Sequence, residues 1–227
     1  MHAVNFPFSS LHLHSSTFFD FLALRKKVFV DEMGWDVPHD DTFEMDQYDT
    51  PMAYYSVALK NGVVVGGART MATTSVWGEH TYMLRDAWSG KLPHIPRHVM
   101  SVEIASPLVW ECTRLVISDT LTSHDDRAEC LTLIVDGLIE MARAKGASSL
   151  ISLSPLPFLR AMRQQGYDVS RLGDTYRNGE DGRLYAVLQM PTEYSTVRRS
   201  KMGLMPTPRT HQPAVRYAVP EMQPAYA

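Results

Sequence analysis

Six charged residues of this 227-residue chain have mainly apolar or aromatic neighbours: Arg25, Asp46, Asp49, Arg69, Glu111 and Arg114. Charge on a solvated face usually runs with more of its kind, whereas these residues are spread over four segments. Taking an ion out of water is costly unless a counter-ion and hydrogen bonds receive it. Two uses fit such a set. One is a buried network that ties helix, loop and sheet together. The other is a reaction centre, where carboxylates move protons and guanidinium forks grip carboxylates. Residue types alone leave both open.

Bulk properties narrow the field. With 44% hydrophobic and 21% charged residues, the chain fits a globular protein that buries its core without staples. A net charge of -3 argues against a nucleic-acid partner. Cys112 and Cys130 lack C-x-x-C spacing, so neither a metal site nor a disulfide framework is expected, and a reducing, cytoplasmic location is. His12 and His14 are at most a weak metal signal, and no P-loop, G-x-G-x-x-G or H-E-x-x-H motif is found. Met1 to Ser16 has no Lys or Arg ahead of its apolar residues, so it does not read as a secretory signal. No apolar run approaches the roughly 18 residues of a membrane span.

The elements that must position the six charges follow from periodicity. Phe18, Leu22, Arg25, Phe29 and Met33 recur at three and four residues, which predicts a helix over Thr17–Met33, capped by Ser15 or Ser16 and ended by Gly34. Trp35–Thr50 reads as an acidic loop. Tyr54–Lys60 and Val63–Thr70 flank Asn61-Gly62, a strong hairpin signal, and Gly66-Gly67 predicts a bulge or a close backbone approach. Tyr82–Trp88 suggests a short helix. Leu108–Ser118 predicts a strand, His124–Lys145 a long helix, Ala147–Leu153 a strand, Leu156–Gln165 a helix, and Tyr167–Leu172 and Leu184–Met190 late strands. In a regular strand Glu111 and Arg114 point to opposite faces, so both can serve one site only if a bulge lies near Cys112-Thr113. The fold class expected is α/β (α+β), a mixed central sheet flanked by helices. Residues 1–195 form the domain, and residues 196–227, rich in Pro, Met and Arg, are expected to be a loosely ordered tail.

Four blocks carry a family resemblance. Arg25-Lys-Lys-Val-Phe29-Val-Asp-Glu-Met-Gly-Trp35, Glu44-Met-Asp46-Gln-Tyr-Asp49, Gly66-Gly-Ala-Arg69 and Trp110-Glu111-Cys-Thr-Arg114-Leu match, in order and spacing, the signature of the acyl-homoserine-lactone (autoinducer) synthases. The resemblance covers about Phe18 to Met190. The chain departs from the family pattern in Thr73–Trp77, which lacks a Pro, and in Lys91–Trp110, which is longer and richer in Pro and His.

The resemblance implies a fold similar to GNAT-type N-acyltransferases, S-adenosylmethionine as a substrate with no permanently bound cofactor, and acyl carrier protein as donor and partner. In that chemistry the α-amine of S-adenosylmethionine attacks a thioester, and the methionine carboxylate then closes the lactone by expelling methylthioadenosine. Glu111 is the candidate base, or else a carboxylate paired with Arg25 or Arg114. Arg114 and Asp46 join it as catalytic candidates. Phe29 and Trp35 would wall the S-adenosylmethionine site, Asp46 would take the amine, and Arg69 would hold a carboxylate or Asp46 itself. Arg25, Glu44 and Asp49 make up an electrostatic cluster. Ser152, Leu153 and Ser154 would line the acyl pocket, and Lys145, Arg160 and Arg163 would meet the carrier protein. Two rival readings remain at this point. A coenzyme A-dependent acetyltransferase would want glycines where Ser118–Asp126 has none, and a non-enzymatic module would not need Glu111, Arg69 and Asp46 together.

Overall fold

The computed structural model describes residues 1–204. Its strands are β1 (His2–Pro7), β2 (Tyr54–Lys60), β3 (Val63–Ala72), β4 (Val109–Ile117), β5 (Ser149–Pro155), β6 (Ser170–Arg171), β7 (Tyr176–Arg177) and β8 (Leu184–Pro191). They form one sheet in the order β1-β2-β3-β4-β5-β8-β6, with β7 also on β8. Every pairing is antiparallel except β4 with β5. The mixed sheet flanked by helices is the expected architecture.

Helices cover both faces. On one lie α1 (Leu11–Arg25), its π-helical continuation Lys26–Glu32 and α2 (Met83–Trp88); their core holds Phe21, Leu22, Tyr55, Val57 and Leu84. On the other lie α3 (His124–Ala144) and α4 (Leu156–Gln164), over Ala58, Val65, Trp110, Leu150 and Leu188. In the central strands alternate residues feed the two cores, as Val57 and Ala58 of β2 and Ile151 and Leu150 of β5 do. The Asn61-Gly62 turn has both residues at positive φ (54° and 81°), the geometry of a tight hairpin with right-handed twist. The Gly66-Gly67 expectation holds on both counts. The register shifts at Ala58/Leu59 opposite Gly66, and a Cβ on Gly67 would lie 2.7 Å from the Phe21 ring.

Three expectations need correction. The first helix begins at Leu11 after a 3₁₀ turn, but it kinks at His14 (φ -131°, ψ 21°), which stacks on Phe6 at 4.7 Å; a short helical stretch therefore precedes the expected run, which starts after that kink near Ser15 and Ser16. Strand β1 was not expected, because its alternation is weak (only Phe6 is buried), and it forms as an edge strand on β2. The tail does not loosen at Thr196. Thr196–Lys201 is helical (α5), capped by Ser195, and Arg198 is buried against Asp136 and over the Tyr167 ring at 4.8 Å. The rest of the expected tail, from residue 205, lies outside the described residues.

The central irregularity is where β4 and β5 separate. They pair only from Val109↔Ser149 to Glu111↔Ile151. Beyond that point the strands diverge, and a cavity of about 420 Å³ opens through the sheet between them. It is lined by Cys112–Ile117 on one side and Leu150–Pro155 on the other.

Candidate active site

Five of the six isolated charges, with Glu44, build one network. Arg25 donates from Nε to Glu44 Oε2 at 2.5 Å and from both terminal nitrogens to Asp49 at 2.9 Å each. Arg69 grips Asp46 through two bonds of 2.5 and 3.1 Å, approaches Asp49 at 2.9 Å and donates Nε to Thr113 Oγ1 at 3.1 Å. Arg114 bridges Glu44 at 3.1 Å and Asp46 at 2.7 Å. Tyr55 OH donates to Asp49, and the amides of Asp46 and Tyr48 donate to Asp49 and Asp46. Three guanidiniums thus face three carboxylates, and all but Arg114 are buried.

Local structure explains how the sequence arranges this. Arg25 is the last residue of α1, and the acidic loop folds back beneath it, where the Glu44 amide donates to Leu22 O. β3 brings Arg69 to the same level of the sheet. Arg114 arrives through a bulge. Arg69 pairs with Thr113 and Gly67 with Val116, so β4 holds one extra residue, and Arg114 sits at φ 57°. The expected bulge therefore exists, one residue further along than Cys112-Thr113, and it swings Arg114 onto the side of Arg69 and Glu111.

Burial alone would suppress ionisation of Asp46, but Arg69 and Arg114 outweigh it and hold the carboxyl far below the ordinary carboxylate range. Asp49 is lowered in the same way, with burial opposed by Arg69 and Arg25. Arg25, disfavoured by burial, is held charged by Asp49 and Glu44.

Glu111 stands apart. It is 1% exposed and has no ion-pair partner among the described residues, so the alternative of a pair with Arg25 or Arg114 is not realised. Its two oxygens accept instead from the amides of Leu84 (2.8 Å) and Met83 (2.9 Å), at the start of α2. Burial pushes Glu111 up to about 7, against the pull of the Leu84 and Met83 amides and of Arg69.

The network meets the cavity at two points. Among its ions, Asp46 and Arg114 line the cavity, beside Phe29, Trp35 and Tyr48. Phe29 and Trp35 stack at 5.1 Å and 11°, brought face to face by the bond from the Trp35 amide to Phe29 O past Gly34 at φ 67°. Arg114 lies over the Phe29 ring, 5.4 Å from its centroid. The Trp35 indole Nε1 is buried with no hydrogen-bond partner among the described residues. Both arms of Arg69 are taken by Asp46, so of its two expected uses it performs the second, holding Asp46.

Ser152, Leu153 and Ser154 all line the cavity, the two hydroxyls bonded to each other at 2.9 Å. Leu153 packs on the α1 side, whereas Leu150, Phe158 and Met162 close the α3/α4 side. The three basic residues expected together are not together. Arg160 and Arg163 are exposed on α4, next to the cavity-lining Phe158 and Met162, but Lys145 follows α3 at the opposite end of β4, in a separate depression with Trp110 and Tyr54. The pleated order of elements decided this, since α3 spans the length of the sheet. The sequence reading missed Tyr48, Thr113, Arg127 and the Met83 and Leu84 amides. Only Arg127, a lone cation on the first turn of α3 after an acidic pair, carried a local signal.

Among the described residues no three His, Cys, Asp or Glu are placed to hold a metal, and no helix is long and apolar enough to cross a membrane. Both cysteines are free, and burial pushes the Cys112 thiol up to about 12.

Known proteins resemble this chain in sequence and in fold. A family model described as autoinducer synthase matches residues 10–199. The acyl-homoserine-lactone synthase of Acinetobacter nosocomialis is 32% identical over 161 residues, which cover 67% of this chain and 81% of the relative. That of Ralstonia solanacearum is 32% identical over 154 residues, covering 66% of this chain and 70% of the relative. The crystal structure of TofI with an inhibitor and MTA shares the fold at a TM-score of 0.70, with 24% identity over 91% of this chain and 98% of that one. The chain belongs to the autoinducer synthase family, whose curated relatives are acyl-homoserine-lactone synthases, and it is an acyltransferase enzyme of that kind.

Proposed function

We propose that this enzyme makes N-acyl-L-homoserine lactone from S-adenosylmethionine and an acyl group carried on acyl carrier protein, releasing methylthioadenosine and holo-carrier protein. The observation that carries the reading is Glu111: a buried carboxylate outside the ion network, with a proton affinity near neutrality, which does not itself line the cavity but sits directly behind Met83 and Cys112, which do. A base of pKa about 7 is matched to removing a proton from an ammonium at neutral pH.

The α-amine, once Glu111 has taken its proton through a water, adds to the thioester carbonyl. As the carbon–sulfur bond breaks the nitrogen gives up a second proton; one of the two protons leaves with the thiol, and the other passes through Glu111 to solvent. The methionine carboxylate then attacks its own γ-carbon, and the sulfonium departs as the neutral thioether of methylthioadenosine. The second step needs alignment more than acid or base, because the leaving group is already activated. Arg114 at the cavity wall suits the carboxylate, Asp46 the amine, and the stacked Phe29 and Trp35 the sulfonium, by cation–π attraction. The acyl tail fits the bay of Leu150, Phe158 and Met162, with the Ser152 and Ser154 hydroxyls beside its first carbons.

The reading of S-adenosylmethionine draws support from the structure of BjaI, a coenzyme A-dependent acyl-homoserine lactone synthase solved with SAM and isopentyl-CoA, which shares the fold at a TM-score of 0.70 and 21% identity. The donor differs in our proposal. The start of α3, where a pyrophosphate would bind, is capped by the chain's own Ser123, carries Asp125 and Asp126, and follows Asp119. A carrier-bound pantetheine brings one phosphodiester instead, and Arg160 with Arg127 offers cations on that side for an acidic carrier. Free thiols suit a cytoplasmic enzyme. The test is a product assay by mass spectrometry with S-adenosylmethionine and matched acyl-carrier and acyl-coenzyme A thioesters. Lactone and methylthioadenosine from the carrier thioester, lost in Glu111→Gln, is the expected result. Equal use of the coenzyme A thioester would overturn the donor assignment, and no lactone from either would overturn the function.

A further inference from the structure

We propose that Asp86 is a positioning residue for this reaction, a joint that holds the seat of Glu111 in register with the seat of Asp46. The inference rests on the synthase reading above. Asp86 lies on α2 and is 1% exposed, between the buried Leu84 and Ala87. It does not line the cavity. Its Oδ1 accepts from Thr81 Oγ1 at 2.7 Å and from the Thr81 amide at 3.2 Å, and Lys91 Nζ stands 3.4 Å away. Its Oδ2 accepts from Tyr48 OH at 3.1 Å and faces His80 Nδ1 at 3.2 Å.

Tyr48 and Thr81 each lead to one half of the site. Thr81 directly precedes Tyr82, the extended residue from which α2 starts, and the first two residues of α2 are Met83 and Leu84, whose amides hold Glu111 at 2.9 and 2.8 Å. Fixing Thr81 therefore fixes where those amides point. Tyr48 belongs to the acidic loop. Its own amide donates to Asp46 Oδ1 at 2.9 Å, its ring lies 5.7 Å from the Arg69 guanidinium, and it lines the cavity. Fixing the Tyr48 hydroxyl therefore fixes Asp46. A buried carboxylate is a costly way to pack a short helix, and an apolar residue of the same size would do that as well. What the carboxylate adds is two acceptor oxygens, which align groups from segments 33 residues apart in sequence, Tyr48 and Thr81. Reacting groups held out of line lose rate long before they lose binding.

Two readouts on the full chain test this. The first needs no substrate. In Asp86→Asn, the Met83 and Leu84 amides should exchange with deuterium about tenfold faster than in the unsubstituted chain, while amides of β2 and β3 keep their rates. The second is kinetic. In Asp86→Asn, kcat for lactone should fall about tenfold or more while KM for S-adenosylmethionine stays within about threefold. Tyr48→Phe, which deletes one hydroxyl and keeps the ring, should give part of that loss and add little to Asp86→Asn. Unchanged exchange at Met83 and Leu84, or faster exchange everywhere alike, would overturn the inference. So would a kcat unaltered in both variants. An unsubstituted chain that makes no lactone overturns the synthase reading instead, and the exchange rates still decide whether Asp86 joins the two seats.

Discussion

Arg69 on β3 holds Asp46 of the acidic loop with both arms of its guanidinium, at 2.5 and 3.1 Å, where both side chains are all but excluded from solvent. The pair fixes the loop that carries half of the site onto the sheet that carries the other half. Removing Arg69 leaves three buried carboxylates, Glu44, Asp46 and Asp49, to share the two remaining guanidiniums, Arg25 and Arg114. Arg69→Ala should lower the unfolding free energy by about 3–5 kcal/mol, and Arg69→Lys should recover only part of it, because an ammonium cannot make the forked contact. Urea unfolding checks this, and a loss under about 1 kcal/mol would show that the network contributes little to the fold.

Glu111 makes stability depend on pH in the sense opposite to Asp46. Its folded proton affinity is raised, from 4.5 to about 7, so the stability it contributes is fully present below pH 4.5 and is lost as pH rises through 7. The difference is about 3 kcal/mol over that window. Glu111→Gln should remove this slope between pH 4.5 and 7 while cutting kcat by about 10²–10⁴. Denaturant unfolding at a series of pH values, compared between the two proteins, isolates the contribution. Parallel curves would mean that Glu111 titrates normally.

Asp46 and Asp49 are depressed by their guanidiniums, so their contribution is present above pH 3.8 and is lost as pH falls below it. The protein should therefore unfold cooperatively in acid below about pH 4, and Arg25→Ala, already deprived of half the pairing, should unfold at a higher pH. Circular dichroism followed during an acid titration would show either the shifted midpoint or its absence.

Arg114 has a backbone that L side chains resist, at φ 57°. Truncation to alanine loses the ion contacts and keeps the strain, whereas truncation to glycine loses the same contacts and relieves it. Arg114→Gly should be more stable than Arg114→Ala by about 1 kcal/mol, the reverse of the usual order in a strand. Thermal unfolding of the two variants decides it; the usual order would place the bulge elsewhere in β4.

Trp35 and Phe29 stack, yet burial separates their roles. Phe29 is 5% exposed in the core, and Phe29→Ala should cost about 3–5 kcal/mol of stability. Trp35 is half-buried at the cavity, so Trp35→Ala should leave the fold largely intact and weaken S-adenosylmethionine binding by about tenfold, with Trp35→Phe between. Calorimetric titration reads this directly, and unchanged affinity in Trp35→Ala would remove the aromatic wall from the site.

The residues themselves determined a good deal. Periodicity placed α3, β4, β5 and β8, and Asn61-Gly62 fixed the β2–β3 hairpin, because these signals are local and need no partner to be read. The isolation of Arg25, Asp46, Asp49, Arg69, Glu111 and Arg114 among apolar neighbours marked them as a buried network or a reaction centre, since lone ions do not survive desolvation, and five of the six are joined in one network. Which carboxylate stayed outside the network was decided only in three dimensions. Glu111 comes from an apolar strand and Glu44 from an acidic loop, but neither setting says what each carboxylate meets; it is the arrival of α2, through Met83 and Leu84, that gives Glu111 amides where Glu44 receives guanidiniums. The early start of α1, the bulge at Arg114, the separation of Lys145 from Arg160 and the docking of α5 are of the same kind. Each depends on what packs across a distance in the chain, which no window of neighbouring residues records.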